Sequence, residues 1–353
     1  MENLEALADG RLVAYVMTRL WDYTEKMKSE MIENTVLNGI LRAMDAISIK
    51  AASDIKMTFV PFRDSSQEKI NDPQKTKIIF NRDVERLNKL FLIAGFYDGL
   101  SKDEGMSMEI GYAYGKGAPI IILRTDFIRQ EFKHFVGQDI LFDPIIEAMA
   151  SKIVYNYKIP EANKTYTERL REGMQNALKD LEDAVFDISV NHNLRPKTAN
   201  MELDCYDVYI DFGGGLFEWE KVYQEKLSKT LVEKGLSCCT ASRYCTKNNN
   251  SKELVNVKQR GMLDIERALQ SKVIVTCGDS SEMNSGSAAI QGMACALGKK
   301  IIFYDSKATN MVADGQYRSS HNLMIDYSAN QVVRSFDDIP SVVLELLNTI
   351  SDT

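Results

Sequence analysis

The sequence predicts an α/β protein with two homologous domains, each containing a parallel sheet. Short apolar segments of strand type alternate with segments of helical periodicity along the whole chain. An ungapped internal repeat is also present, because a shift of 181 positions lays residues 83–86 on 264–267 and residues 120–121 on 301–302. A repeat of about half the chain length indicates two copies of one domain. We therefore expect two Rossmann- or flavodoxin-like domains that pack as an intramolecular pseudo-dimer.

The first half of the chain supplies the elements of one such domain. Runs of β-branched and large apolar residues predict strands, and apolar positions three or four residues apart predict helices. In chain order the sequence predicts a strand at 12–17, a helix at 22–52, a strand at 56–60, a helix around 83–88, a strand at 90–94, a helix at 110–117 and a strand at 120–123.

The second half repeats this order after an amphipathic, helical segment at 164–188 and a Pro196-containing linker. We expect a first domain at 1–160, a helix and linker at 161–203, and a second domain at 204–353. The predicted elements of the second domain are a strand at 207–210, a turn of three glycines at 213–215, a helix at 218–234, a strand at 236–240, a helix at 261–269 and a strand at 273–275.

The composition argues against binding to nucleic-acid polymers or membranes. A net charge of −7 opposes contact with a phosphate backbone, and no apolar run approaches the roughly 20 residues of a membrane span. The acidic start of the chain is unlike a secretory signal, so a cytoplasmic location is expected. The cysteines and histidines form no metal-binding motif, and we expect no metal and no cofactor. A homo-oligomer is expected.

An acidic, glycine-flanked loop lies where a strand is followed by a helix in the first half. Asp98, Asp103 and Glu109 follow the apolar run at 90–94, and the carboxyl ends of parallel strands are where open α/β sheets bind ligands. We place Glu109 in the first turn of a helix that begins near Gly105, where the helix dipole favours the ionised carboxylate. Such a carboxylate can attack an anomeric carbon, with Asp83 or Asp98 protonating the leaving group.

The second copy has lost the acidic set. The 181 shift places Ile290 at the position of Glu109 and Asn284 at that of Asp103. We therefore expect the domain at 1–160 to be catalytic and the domain at 204–353 to be a degenerate copy that completes the active site.

The segment at 103–113, preceded by Phe80-Asn-Arg-Asp83, resembles the nucleoside 2-deoxyribosyltransferase family. The resemblance implies transfer of 2-deoxyribose between the nucleobases of free deoxynucleosides, through a covalent intermediate on a glutamate. It implies that Glu109 is the nucleophile, that Tyr15 holds it, that Asp83 is the acid that handles the base and that Asp103 binds the sugar 5′-hydroxyl. The expected partners are deoxynucleosides and free nucleobases.

Three further residues are assigned to substrate binding by the same resemblance. Asn322 and Met324 match an Asn-Leu-Met element that a neighbouring subunit donates in this family, with the asparagine on the 5′-hydroxyl and the methionine beside the base. Gln67 is the candidate for a base-contacting glutamine. The 181 shift puts Leu141 and Asp143 at the places of Asn322 and Met324, so the sequence predicts that the first half lacks this element and that the site is shared.

The sequence also departs from the family pattern. Tyr15 is followed by residues 16–19 without the glycine-containing turn, whereas the second half keeps glycines at 213–215, and there we read Asp211 as the replacement of the tyrosine. Two other functions remain open. One is an N-glycosidase that hydrolyses nucleosides or nucleoside monophosphates, although an ionised Asp103 would repel a 5′-phosphate. The other is a non-catalytic nucleoside or nucleotide sensor.

Overall fold

The structure, a computed structural model, describes residues 2–19, 23–51, 55–64, 73–99, 103–127, 130–131, 139–158, 164–191, 205–244, 256–279, 283–307, 311–312, 318–319 and 321–351. The described strands are β1 (Val13–Met17), β2 (Thr58–Phe59), β3 (Leu90–Phe96), β4 (Ile120–Arg124), β5 (Gln130–Glu131), β6 (Asp139–Ile140), β7 (Lys152–Tyr155), β8 (Tyr206–Asp211), β9 (Cys238–Thr240), β10 (Ser271–Cys277), β11 (Lys300–Tyr304), β12 (Met311–Val312), β13 (Arg318–Ser319) and β14 (Gln331–Val333).

The helices alternate with these strands. They are α1 (Glu2–Ala8), α2 (Tyr23–Ala46), α3 (Pro61–Asp64), α4 (Pro73–Leu87), α5 (Glu104–Gly115), α6 (Pro144–Met149), α7 (Tyr166–Val190), α8 (Glu218–Glu233), α9 (Val257–Leu269), α10 (Ser285–Ala296), α11 (Leu323–Ser328) and α12 (Ile339–Ser351), with a 3-10 turn at Phe336–Asp338. Within the described residues, no helix has the length and apolarity that a membrane crossing requires.

Two five-stranded parallel sheets form the framework and confirm the predicted α/β fold class. The first has the order β2-β1-β3-β4-β7 and the second, read from its opposite edge, the order β9-β8-β10-β11-β14. The sequence shift of 181 carries β3 onto β10 and α5 onto α10 with identical limits. Each half therefore repeats the same strand order, and all strand pairs within the two sheets are parallel.

Three apolar cores lie between these layers. One side of the first sheet packs against α2 and α7, and one side of the second packs against α8 and α12. The third core combines side chains of both halves, including Ile110 of α5 and Ile290 of α10. A core shared across the boundary is typical of an obligate subunit interface, here within one chain. The helix at 166–190, assigned to the linker region from sequence, packs on the first sheet.

Two glycines allow the central helices α5 and α10 to meet backbone to backbone. A Cβ atom on Gly111 would lie 1.8 Å from the carbonyl oxygen of Ala289, and one on Gly292 would lie 2.0 Å from that of Met108. The pairs are reciprocal under the 181 shift, which takes residue 111 to 292 and residue 108 to 289. The two halves are thus related by a local two-fold axis that passes between these helices.

Several sequence-based limits were wrong. The long helix α2 ends at Ala46 rather than at 52, and the second strand covers only Thr58–Phe59 because Pro61 begins a short helix. The counterpart of Tyr15 is Tyr209 and not Asp211, since Tyr15 pairs with Ile93 in its sheet and Tyr209 pairs with the equivalent Ile274.

The predicted alignment around Asn322 was also wrong by two residues. Asn322 is the N-cap of α11, and Asp143 is the N-cap of α6, so these two residues are equivalent. The first half therefore has its own version of this element, with an aspartate in place of the asparagine. The second half is two residues shorter than the first in the segment before this helix, and a constant shift of 181 cannot detect that difference.

Candidate active site

A cleft opens at the carboxyl ends of β1, β2 and β3. Thr18 follows β1, Pro61 follows β2, and Asp103 lies in the loop after β3, so the first sheet places all three at one edge. The cleft is open to solvent, and its empty space, with the adjoining solvent, is about 340 Å³. Its lining residues come from both halves: Thr18, Pro61, Asp83, Asp103, Gly105, Met106, Glu109, Asn322, Leu323 and Met324.

Tyr15 and Glu109 form a buried pair at the base of the cleft. The Tyr15 hydroxyl donates a hydrogen bond of 2.6 Å to Oε1 of Glu109, and both side chains are almost fully shielded from solvent. Oε2 of Glu109 is buried and has no hydrogen-bond partner among the described residues. One carboxylate oxygen is thus held by the protein, and the other is left for a ligand in the cleft.

The structure corrects the predicted electrostatics of Glu109. Glu109 is the sixth residue of α5, in its second turn, so it does not benefit from the exposed N–H groups of the helix start. Burial raises the pKa of Glu109 well above its usual value, and the nearby Asp83 and Asp103 raise it further, against the lowering effect of the Tyr15 hydrogen bond. These surroundings therefore favour the neutral form of the carboxyl more than water does.

Asp83 and Asp103 line the cleft beside Glu109. Asp83, near the end of α4, is 2% exposed and contributes to the raised pKa of Tyr15, whose largest cause is burial. Asp103 is the N-cap of α5, and its Oδ1 accepts the Met106 N–H at 2.9 Å. Its position at the helix start thus follows from a local capping preference, which also holds its carboxylate at the cleft.

Asp98 is not among the residues that line the cleft. Its carboxylate accepts hydrogen bonds from the N–H and hydroxyl of Thr125, at 2.7 and 2.6 Å. The second half repeats this arrangement between Asp279 and Ser306, which the 181 shift places on Asp98 and Thr125. The same contact in both halves indicates that Asp98 ties two loops together. Gln67 lies outside the described residues.

Asn322 and Met324 of the second half close the cleft opposite Glu109. Asn322 caps α11 by accepting the Met324 N–H at 2.9 Å, and Met324 is buried. A Cβ atom on Gly105 would lie 2.4 Å from Nδ2 of Asn322, so only glycine lets the asparagine approach α5 this closely. The structure thus brings together four predicted residues of the first half's site, Tyr15, Asp83, Asp103 and Glu109, and the two from the second.

Sequence reasoning missed Thr18, Pro61, Met106 and Glu104. Thr18 Oγ1 is buried without a hydrogen-bond partner in the described part of the chain, and it lies at the end of β1 beside the cleft. The sequence feature that could have indicated Thr18 as a site residue was its position three residues after Tyr15, at the end of a predicted strand. Glu104 gave no such signal, because its contacts are with distant residues of the second half.

The equivalent cleft of the second half is filled by the side chain of Arg243. Its guanidinium lies 3.0 Å from Asp143, 2.8 Å from Asp211 and 3.6 Å from Asp264. It also donates to Asn284 Oδ1 and to Ser287 Oγ, at 2.7 and 3.0 Å. The side chains of this arginine, Asp211 and Asp264 are fully buried.

Four of the five contact residues of Arg243 are the counterparts of residues that line the open cleft. Asp264, Asn284 and Ser287 correspond by the 181 shift to Asp83, Asp103 and Met106, and Asp143 corresponds to Asn322. Burial raises the pKa of Asp264 to about 6, although Arg243 lowers it. The second half thus places a cation of its own where the first half has a cleft.

Among the described residues, no group of histidine, cysteine, aspartate and glutamate side chains is arranged to bind a metal ion.

Comparison with known proteins connects the first half with one family. Residues 41–140 match the profile of the nucleoside 2-deoxyribosyltransferase family, a range that contains Asp83, Asp103 and Glu109. No curated protein sequence gives a significant match.

Solved structures with similarity to the chain have low sequence identities. A 2-desoxiribosyltransferase from Leishmania mexicana is 19% identical, with a TM-score of 0.31, over 39% of this chain and 97% of that one. A conserved protein from Enterococcus faecalis V583 is 17% identical, with a TM-score of 0.33, over 40% of this chain and 99% of that one. A putative phosphosugar isomerase from Silicibacter pomeroyi DSS-3 is 12% identical, with a TM-score of 0.24, over 99% of this chain and 92% of that one.

The family suggested by the sequence motif is the family whose profile matches the residues around the cleft. The resemblance to the nucleoside 2-deoxyribosyltransferase family is thereby confirmed for residues 41–140.

Proposed function

We propose that the protein transfers 2-deoxyribose between the nucleobases of free deoxynucleosides, with Glu109 as the nucleophile. The observation that carries the proposal is the Tyr15–Glu109 pair, in which one carboxylate oxygen is hydrogen-bonded at 2.6 Å and the other has no partner in the described residues. A buried, positioned carboxylate at the base of a cleft is the arrangement that glycosyl transfer through a covalent intermediate requires.

The reaction would proceed in two displacements. Oε2 of the ionised Glu109 attacks the anomeric carbon, the bond from that carbon to the base nitrogen breaks, and Asp83 supplies a proton to the departing base. A second base then attacks the same carbon, the glutamyl ester bond breaks, and Asp83 takes up the proton. Because burial raises the pKa of Glu109, the empty enzyme must release a proton before the first step.

The substrate would be held by residues of both halves. Asp103 and Asn322 both line the cleft, where a carboxylate and an amide suit a sugar hydroxyl and the carboxylate opposes a 5′-phosphate. Pro61, Met106 and Met324 give the cleft an apolar part that suits a planar base. We propose that the domain at 1–160 is catalytic and that the domain at 204–353, whose own cleft Arg243 fills, completes this site.

A base-exchange experiment tests the proposal. The protein is incubated with one deoxynucleoside and a different free base, and the products are separated by chromatography. The expected result is the exchanged nucleoside, together with a deoxyribosyl adduct on the Glu109 peptide in acid-quenched samples analysed by mass spectrometry. Free deoxyribose without exchange would instead indicate an N-glycosidase, and binding without either product would indicate a sensor.

A further inference from the structure

Glu104 forms a buried connection between the two halves beside the cleft. It is the first residue of α5, next to Asp103. Its Oε2 lies 2.9 Å from Nδ1 of His321 and accepts the Met283 N–H at 3.2 Å, and its Oε1 accepts the Asn322 N–H. All three partners belong to the second half. One carboxylate therefore holds the backbone and a side chain of the segment that carries Asn322.

His321 is enclosed by charged groups of the second half as well as by Glu104. The histidine is 2% exposed, and its Nε2 lies 3.8 Å from Asp305, which in turn pairs with Arg334. Lys307 is the other charged group that acts on it. The Phe303 ring packs edge-on at 4.9 Å between centroids. The imidazole thus has a fixed position between two carboxylates of opposite halves.

These surroundings favour the charged form of both partners. Burial lowers the pKa of His321, but the nearby carboxylate of Asp305 and the hydrogen-bonded carboxylate of Glu104 raise it, for a net value of about 9. Burial raises the pKa of Glu104, but the contacts with His321 and the two N–H groups lower it overall. At neutral pH the contact is therefore an ion pair, which weakens when His321 loses its proton.

We propose that Glu104, with His321, is a positioning group that holds Asn322 and Met324 of the second half over the catalytic cleft of the first half. This inference rests on the proposed function for its kinetic consequence. The 181 shift places Ser285 at the position of Glu104 in the second half, beside the cleft that Arg243 fills. The acidic residue is thus present only in the half whose own cleft is open.

The positioning role predicts that loss of the Glu104 contact affects substrate binding more than the chemical step. Asn322 and Met324 line the cleft, whereas Tyr15 and Glu109 belong wholly to the first half. Loss of the Glu104 contact should therefore raise KM more than it lowers kcat. The pH effect depends on the charge of His321. The Glu104–His321 ion pair is complete at pH values well below 9 and is lost as the pH rises through about 9. KM should therefore rise in that range.

Two variants test the proposal through different properties. Glu104→Gln has the same size, but its single carbonyl oxygen cannot accept all three hydrogen bonds, and at pH 7 we expect a KM increase of roughly tenfold with kcat within about twofold of wild type. His321→Asn can donate to Glu104 through its amide without titrating. It should keep a KM near that of wild type at pH 7 and lack the rise above pH 9. Glu85→Gln, on the exposed face of α4, is the control.

Nuclear magnetic resonance gives a readout that does not depend on activity. The chain has 3 histidines, so the ring signal of His321 can be assigned with the His321→Asn variant. It should titrate near 9 in wild type and at a clearly lower pH in Glu104→Gln, because one of the two carboxylates that raise its pKa is lost while Asp305 remains.

Unchanged KM and kcat in Glu104→Gln, with an active wild type, would overturn the positioning role. If Glu104→Gln fails to fold, an alkaline rise in KM that persists in His321→Asn would overturn it instead. A wild-type protein that binds no deoxynucleoside but shows the His321 titration would reject the proposed function and leave the ion pair established.

Discussion

Asp143 and Asn322 cap equivalent helices and lie against the opposite half, Asn322 beside Gly105 on α5 and Asp143 beside Gly286 on α10. The 181 shift takes Gly105 to Gly286, so the two contacts are related by the local two-fold axis. The surroundings of the two residues differ: Asn322 lines an open cleft, whereas Asp143 pairs with Arg243. The equivalent capping residues thus lie at an open cleft in one half and in a buried ion-pair cluster in the other.

Replacement of Glu109 should abolish transfer without unfolding the protein. We expect Glu109→Ala and Glu109→Gln to reduce kcat by roughly 10³-fold or more, because no other described carboxylate shares its contact with Tyr15. Steady-state exchange assays measure the loss, and circular dichroism checks the fold. Glu85→Gln serves as the surface control. Near-normal exchange in either Glu109 variant would remove this residue from the mechanism.

Tyr15→Phe should move the pH dependence of the reaction. The nucleophile must be ionised, and the raised pKa of Glu109 means that kcat/KM falls as the pH drops through a value above the ordinary range of a glutamate. The Tyr15 hydrogen bond lowers that pKa, so its loss should shift the acidic limb to higher pH. Profiles of kcat/KM against pH for both proteins measure the shift. An identical limb in the two would contradict the role of the hydroxyl.

Asn322→Ser should weaken substrate binding while preserving the helix cap. Serine caps helices as well as asparagine does but is too short to reach across the cleft. The loss of one hydrogen bond to the substrate corresponds to roughly a three- to tenfold rise in KM. Thermal unfolding should be nearly unchanged. Asn191→Ala, at the exposed end of α7, is the comparison, and equal KM values in the two variants would argue against a shared site.

Gly111→Ala should strongly destabilise the protein by separating α5 from α10. The added Cβ would lie 1.8 Å from a backbone oxygen, so the helices must move apart. Gly117→Ala is a matched control, since it has open space but a φ of +66°, and its expected cost is about 1–2 kcal/mol. Denaturant unfolding compares the two. A smaller loss for Gly111→Ala than for Gly117→Ala would contradict the close helix contact.

Arg243→Met should lower the free energy of unfolding by about 3–5 kcal/mol, because it leaves buried carboxylates without their cation. Arg63 is the matched control. The two arginines occupy equivalent places in the two halves. The equivalent residues Tyr15 and Tyr209 pair with Phe59 and Cys239. Arg63 lies four residues after Phe59, and Arg243 lies four residues after Cys239. The Arg63 side chain is 46% exposed and pairs with Glu33, and Arg63→Met should cost less than about 1 kcal/mol. Similar losses in both variants would contradict the buried cluster.

The sequence by itself determined the α/β class, the two-fold repeat and most of the site. Strands show as local apolar runs and helices as local periodicity, so β3, α5 and their counterparts β10 and α10 could be predicted without a structure. Asp103 and Glu109 could be found because they lie in a repeated segment whose second copy has Asn284 and Ile290 instead, and Asp83 because it belongs to the sequence motif that resembles the family.

Only the tertiary structure decided what depends on burial and on distant contacts. Glu104 and His321 are 217 positions apart, and no local pattern links them. Arg63 and Arg243 occupy equivalent places, yet one is half exposed and the other is buried in a cleft, because the carboxylates around Arg243 come from three separate segments. The predicted direction of the Glu109 pKa shift was wrong for the same reason. The sequence shows the place of Glu109 on a helix, and only packing shows that the helix is buried and that the pKa is raised.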